Sequence, residues 1–365
     1  MKKNVRYTKL LLTVFFIFLS FSAHGTEISN CEDLTKLEEH PEREFQVTDN
    51  IYCEGNSFEP IGSIQKPFKG SIDGGGHIID GIYVSGEEKA GMFTKLENAS
   101  VKELGLRVHV ESGETTGGFA AISENTTFEE TYTMSEITRK DKIREETVAG
   151  GFVGNSSRTE FINSFTTGQI MGFDVAGGFS GVSKSSVIEK SYSSINKIYI
   201  GYAGGFIGRS SKDTANLSFF SGDINSERTK GFTGEESKDI EIKDSFYYIG
   251  NRRTTHDSNN SVDNPEYFYN MSNSPMKHWG NQWSEFCSYE SYQNPNKGYP
   301  ALEISFISSP MECIDYGFNR FPGPYLKPYE LSKDHLINFR DMDPESSKIP
   351  LPNFLIRFLE VVFWR

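Results

Sequence analysis

The residues with the richest chemistry in this chain are four cysteines, at 31, 53, 287 and 313, and seven histidines. A zinc site needs several ligands brought together at short spacings, with an open position if it is to hydrolyse anything. Here no C-x-x-C occurs, and no two histidines stand at i and i+4. In an exported chain an even number of cysteines reads instead as disulfides. Of the three connectivities, the local pairs Cys31–Cys53 and Cys287–Cys313 would each close a loop near one end of the ordered region, a constraint of about 3 kcal/mol per loop. A G-x-S-x-G elbow is absent. The glycine run "DGGGH" at 73–77 leads into strand-like "IIDGIYV", whereas a phosphate cradle needs a helix N-terminus behind it. Asp and Glu are plentiful, but the repeats described below show no recurring acidic pair. No catalytic, cofactor-binding or metal-binding residue is assigned, and the chain is expected not to be an enzyme.

The elements that carry these residues start after an address. Lys2, Lys3, Arg6 and Lys9 precede the apolar run Leu10–Phe21, and "AHG" places small residues before a cut. Residues 1–25 therefore read as a secretory signal peptide. The apolar run is well short of the roughly 20 residues a membrane-spanning helix needs. Its removal takes four of the 37 basic groups and no acid, leaving 33 against 50 acidic ones and a formal charge of −17. That sign disfavours nucleic acid and acidic lipid as partners, since both are held by Lys and Arg.

Behind the leader, one sentence is written repeatedly. Phe119, Phe152, Phe179 and Phe206 follow the glycine pairs Gly117-Gly118, Gly150-Gly151, Gly177-Gly178 and Gly204-Gly205, at spacings of 33, 27 and 27. Nine residues on stand Phe128, Phe161, Ile188 and Ala215; thirteen on stand Tyr132, Phe165, Tyr192 and Phe219. A fixed period of this size marks stacked units that cannot bury their apolar faces alone. Single apolar residues separated by Gly, Ser, Thr and Asn are strand-and-turn punctuation, without the i, i+3, i+4 stripes of a helical solenoid. The fold expected is all-β: a right-handed parallel β-helix (β-solenoid) whose aromatic columns form inward ladders. Glycines are expected where φ is positive or where no Cβ fits.

"GGFVGNSSRTEFINSFTTGQI" resembles the GLUG repeat of bacterial surface proteins, and "GGFSGVSKSSVIEKSY" and "GGFIGRSSKDTANLSFFSGDI" match it more loosely. The segment from Cys31 to Leu96 and the segment from Trp279 to Glu303 are similar to the opening and closing segments of such domains. The resemblance implies a capping helix, a stack of coils and a closing segment over about residues 30–303. GLUG repeats also occur in the N-terminal regions of immunoglobulin-A-cleaving zinc peptidases. The H-E-x-x-H of those enzymes stands nowhere in this chain, so their activity is not carried over.

The organisation expected is a signal peptide at 1–25, a β-helix domain at 26–303 and an extension at 304–365. Within the domain, the cap is placed at about 30–50, the coils at about 51–250 and the closing segment at about 265–303. The charged stretch Ile137–Ala149 holds the six extra residues of the longest period and reads as a solvated loop. The function expected is an exported, adhesin-like binding protein, extracellular, cell-surface or periplasmic. It would present a rigid face of Ser, Thr and Asn to a glycan or protein. The alternatives are a β-helix polysaccharide lyase or glycoside hydrolase, and a structural stalk.

Overall fold

The computed structural model describes residues 25–53, 57–85, 88–139, 146–195, 198–199, 201–226, 228–234, 237–249, 260–270, 272–280, 283–284 and 301–302. All of them belong to the first of two compact units, Met1–Tyr325; the second is Leu326–Arg365. The expected signal peptide apart from Gly25, Cys287, Cys313 and the 304–365 extension lie outside the described residues.

The chain winds as a parallel β-solenoid of about seven turns. Each repeat contributes to two short five-stranded ladders, represented by Val148–Gly150 and Val153–Ser157, and to one long 17-stranded sheet. Register follows the sequence repeat: Phe128 pairs with Phe161, Ile188 and Ala215 in succession, and Tyr132 with Phe165, Tyr192 and Phe219. The ladder begins earlier than the expected 51. Thr26–Ile28 pairs with Glu44–Val47, and that strand pairs with Ser71–Ser85. The short helix Thr35–Glu39 sits between the first two strands, with Leu34 and Leu37 buried. A Cys31–Cys53 disulfide closes this end, its Cα atoms 5.4 Å apart.

Two columns fill the core. Phe119, Phe152, Phe179 and Phe206 follow one another at ring-centroid separations of 5.4, 5.1 and 5.6 Å. Phe128 and Phe161 stack at 5.4 Å beside them, and Ile188 and Ala215 continue that column in the same apolar cluster. Burying each phenylalanine contributes about 1.5–3 kcal/mol, with each ring pair adding about 0.5–1.5 kcal/mol.

The third column is placed differently from the inward ladder expected. Tyr132, Phe165, Tyr192 and Phe219 are fully buried and stack at 4.8–4.9 Å, yet none belongs to the continuous core cluster. In each strand it is the next residue that points in: Thr133 donates to the Gly151 carbonyl across the interior and meets the hydroxyl of Thr166, its partner in the adjacent strand. Strand alternation therefore turns the Tyr132 column outward. The closing segment covers its upper part. Phe268 stacks on Phe219 at 4.3 Å, and Trp279 lies 5.8 Å from Phe219 with its Nε1 donating to the Leu217 carbonyl at 2.7 Å. Phe268 and Trp279 thus lie along the outside of the sheet.

None of the eight repeat glycines has a positive φ. They are there because no Cβ fits: one on Gly150 would stand 2.0 Å from the Val153 carbonyl oxygen, and one on Gly178 would stand 2.2 Å from that of Gly205. The left-handed turns fall on other residues, two per coil and five apart, as in Asn125/Glu130, Arg158/Asn163 and Ser185/Lys190.

The hydroxyls are also placed differently from the outer face expected. Thr131, Ser164, Ser191, Ser218 and Ser245 are buried at one corner of successive coils. There each backbone N–H donates to the next coil's hydroxyl: Thr131 to Ser164 at 3.2 Å, Ser164 to Ser191 at 3.0 Å and Ser191 to Ser218 at 3.2 Å. A corner withdraws backbone donors from the strand ladder, and a buried donor without a partner costs about 1–3 kcal/mol. A short side chain carrying one hydroxyl meets that need without disturbing the stack.

Candidate binding face

With these corner hydroxyls buried, the outer surface of the long sheet must be read from its own alternation. In Ser100–Ser112, Leu104, Leu106, Val108 and Val110 point inward and are buried. Arg107, His109 and Glu111 consequently share the outside. Pairing aligns Tyr83, His109, Glu136 and Gln169 in one row across four coils.

Contacts within the row are close. The Tyr83 and His109 rings lie 5.2 Å apart, and the Tyr83 hydroxyl donates to Glu111 Oε2 at 3.1 Å. His109 Nε2 stands 3.5 Å from Glu111, and Nδ1 stands 3.4 Å from Glu136. Gln169 donates to the other oxygen of Glu136. One position away, Arg107 grips Asp80 through two nitrogens. The Glu136 hydrogen bond raises the His109 pKa against the opposing effect of burial. In return, the His109 hydrogen bond lowers the pKa of Glu136. The imidazole thus sits between two carboxylates that favour its protonated form, with a half-exposed phenol ring beside it.

This row offers a partner a flat aromatic surface, an amide and charges of both signs on an unyielding sheet. It is a poorer fit for acid–base hydrolysis. Such chemistry needs one carboxyl kept protonated, whereas His109 holds Glu136 ionised. Among the described residues, no group of three or more His, Cys, Asp or Glu is placed to hold a metal ion.

The ladder and glycine residues singled out in the sequence are brought together as scaffold, not as a site. The outer row escaped sequence reading because Ser71–Ser85 and Ser100–Ser112 pair with two register shifts, between Asp73 and His77 and between Ile79 and Ile82. The 27-residue comb loses its place there. A usable signal was present in "LRVHVE", Leu106–Glu111, whose strict alternation puts Arg, His and Glu on one side. The charged stretch Ile137–Ala149 is only partly a loop: Ile137, Val148 and Ala149 are buried strand residues, and 140–145 lie outside the described residues.

No family model matches the chain. Halomucin of Haloquadratum walsbyi (strain DSM 16790 / HBSQ001) is 29% identical over 117 residues, covering 30% of this chain. The match takes in 1% of halomucin's own length. Among solved structures, a Bacteroides ovatus chain named as an immunoglobulin A1 protease superposes with a TM-score of 0.61 at 15% identity, covering 78% of this chain and 94% of that one. At that identity the likeness is one of fold. A chain named IgA1 Protease gives a TM-score of 0.44 at 13% identity, over 60% of this chain and 21% of its own. No helix among the described residues is long and apolar enough to cross a membrane.

Proposed function

We propose that this is an exported, adhesin-like binding protein that offers the outer face of its early coils to a glycan or protein. The observation that carries the reading is the row Tyr83–His109–Glu136–Gln169, held in register by parallel pairing. A surface fixed by backbone ladders loses little entropy on binding, and an aromatic ring flanked by hydrogen-bonding groups is how sugar and protein sites are commonly furnished. The coil stack shared with a protease-named neighbour, in a chain without H-E-x-x-H, supports recognition rather than peptide cleavage.

Residues 26–365 would be passed over a panel of polysaccharides and proteins, scoring retention together with release of reducing or unsaturated ends. Retention without cleavage is expected, with Tyr83→Ala lowering it at least about tenfold, a loss of about 1.4 kcal/mol. A second reading, a carbohydrate-active enzyme, is favoured by one observation: Glu111 and Glu136 meet at one imidazole. It predicts new chain ends that Glu111→Gln and Glu136→Gln abolish. Neither retention nor cleavage across the panel would leave the stalk.

A further inference from the structure

One outer corner of the solenoid carries a charge pattern that neither the core nor the Tyr83 row uses. Parallel pairing sets Glu97, Glu124, Ser157, Lys184, Ser211 and Lys238 in one row up successive coils. The next residue of each coil forms the corner itself, at positive φ: Asn98, Asn125, Arg158, Ser185, Lys212 and Asp239. In the first two coils the charges cancel. Glu97 pairs with Lys69 and Lys95 at 3.3 and 3.5 Å, and Glu124 pairs with Lys95 at 3.1 Å. The coils above then contribute one exposed cation each, Arg158, Lys184, Lys212 and Lys238 in turn. Among the described residues no carboxylate forms an ion pair with any of these four.

The cations alternate. Arg158 and Lys212 stand in the corner row, while Lys184 and Lys238 stand one residue before it, and Ser157, Ser185 and Ser211 take the other place. Arg158 is steadied by its Nε, which donates to Asn125, and Asn125 Nδ2 donates to Asn98 at 3.1 Å. With coils about 4.8 Å apart, the four charges make a narrow staggered ridge about 14 Å long. Acid lies only beside its ends: Asp239 tops the corner row, and the adjoining strands run Glu160, Val187, Thr214 and Glu241. A membrane or a nucleic-acid duplex laid here would meet those acids as well, in the field of a chain whose exported part carries −17. Single-stranded nucleic acid is held by aromatic platforms for its bases, and neither row holds an aromatic residue. A lone polysaccharide chain touches only the cations and the serines between them. In a 1→4-linked acid chain successive rings turn over, so its carboxylates alternate sides as the cations do. We propose that Arg158, Lys184, Lys212 and Lys238 bind a linear 1→4-linked acidic polysaccharide along this corner, with Ser185 and Ser211 meeting its hydroxyls.

The ridge is separate from the Tyr83 row, and its variants leave that row untouched. The test titrates residues 26–365 with a 1→4-linked mannuronate hexasaccharide, and with cellohexaose as the neutral control, by calorimetry at low and physiological salt. Mannuronate is expected to bind, more weakly at the higher salt, and cellohexaose not. Lys184→Gln with Lys212→Gln, both on the surface and checked for unchanged unfolding, should weaken binding at least about tenfold. Lys69→Gln, in the coils where charges cancel, should leave it unchanged. Ser211→Lys with Lys212→Ser keeps the net charge and gives each position the residue type that Lys184 and Ser185 already show one coil earlier. It should also weaken binding, because the alternation is lost. No binding, equal binding of cellohexaose, or indifference to the paired Gln variant or to the exchange overturns the proposal. So does equal binding of a hexathymidylate, which would make the ridge a general polyanion surface.

Discussion

Asp213 shows how much one side chain carries in this fold. It is 1% exposed and accepts from the Ser183 hydroxyl at 2.9 Å, the Ser186 N–H at 2.7 Å, the Ser211 N–H at 3.0 Å and the Ser210 hydroxyl. Asp213→Ala would strand three buried donors and one half-buried one, and should cost about 2–4 kcal/mol in urea unfolding. Asp213→Ser should cost clearly less, because Thr159 and Ser186 fill the same corner in the two coils before it. An equal loss from both variants would show that the charge, not the corner bonding, matters. His109 makes a pH-dependent prediction. Its pKa is raised above 6.5, so its contribution is complete below 6.5 and fades as pH rises through the folded value. The pKa of Glu136 is lowered from 4.5, so its contribution is present above 4.5 and fades as pH falls through its folded value. Both act together between about 4.5 and 6.5. With both side chains about one-third exposed, solvent screening limits the pair to about 0.5–1 kcal/mol. Melting temperatures of His109→Gln should therefore converge on the parent's as pH rises beyond 6.5 through the folded value, and a constant gap would contradict the pairing.

At the scale of the coil, the paired glycines take close approaches at negative φ, while positive φ falls on non-glycine residues such as Asn163 and Lys190. Gly178→Ala would put a methyl 1.9 Å from Ser193 Oγ and 2.2 Å from the Gly205 carbonyl oxygen. Because backbone is one of the obstacles, the coil must shift, at about 3 kcal/mol. Lys190, at φ 47°, sits where Asn163 stands one coil earlier. Asn tolerates that region far better than Lys, so Lys190→Asn should gain about 0.5–1 kcal/mol. Thermal unfolding of the two variants side by side separates a steric requirement from a conformational one. The Phe119 and Phe128 columns were legible because their period survives in the letters. The side taken by the Tyr132 column was not. A column of aromatics reads as core, and nothing within the repeat reveals that Phe268 and Trp279, well beyond it in sequence, come back to cover it. The buried hydroxyls were misread for the converse reason. Polarity suggests solvent, but a corner of buried N–H groups needs polar partners. The outer row of Tyr83 and His109 was hidden by the two register shifts that interrupt the period where it lies.

For the molecule as a whole, stability should spread only between adjacent coils, because each turn pairs with the one before and the one after. The Cys31–Cys53 link spans 22 residues, and a loop of that length constrains the unfolded chain by about 3 kcal/mol. It encloses the helix Thr35–Glu39 and the strand Glu44–Val47, so its loss should be felt first at Thr26–Tyr52. A paired Cys31→Ala, Cys53→Ala variant is the right probe, because it removes this link alone. Hydrogen exchange should then show faster exchange at Phe45 and Val47, with Phe219 and Tyr247 keeping the parent's protection. Intermediate effects should die away over the coils between, where the Phe119 column begins. Uniform loss of protection along the ladder would mean that the stack opens as one cooperative body. In that case the disulfide would be a clamp on the whole solenoid, not on its first turn.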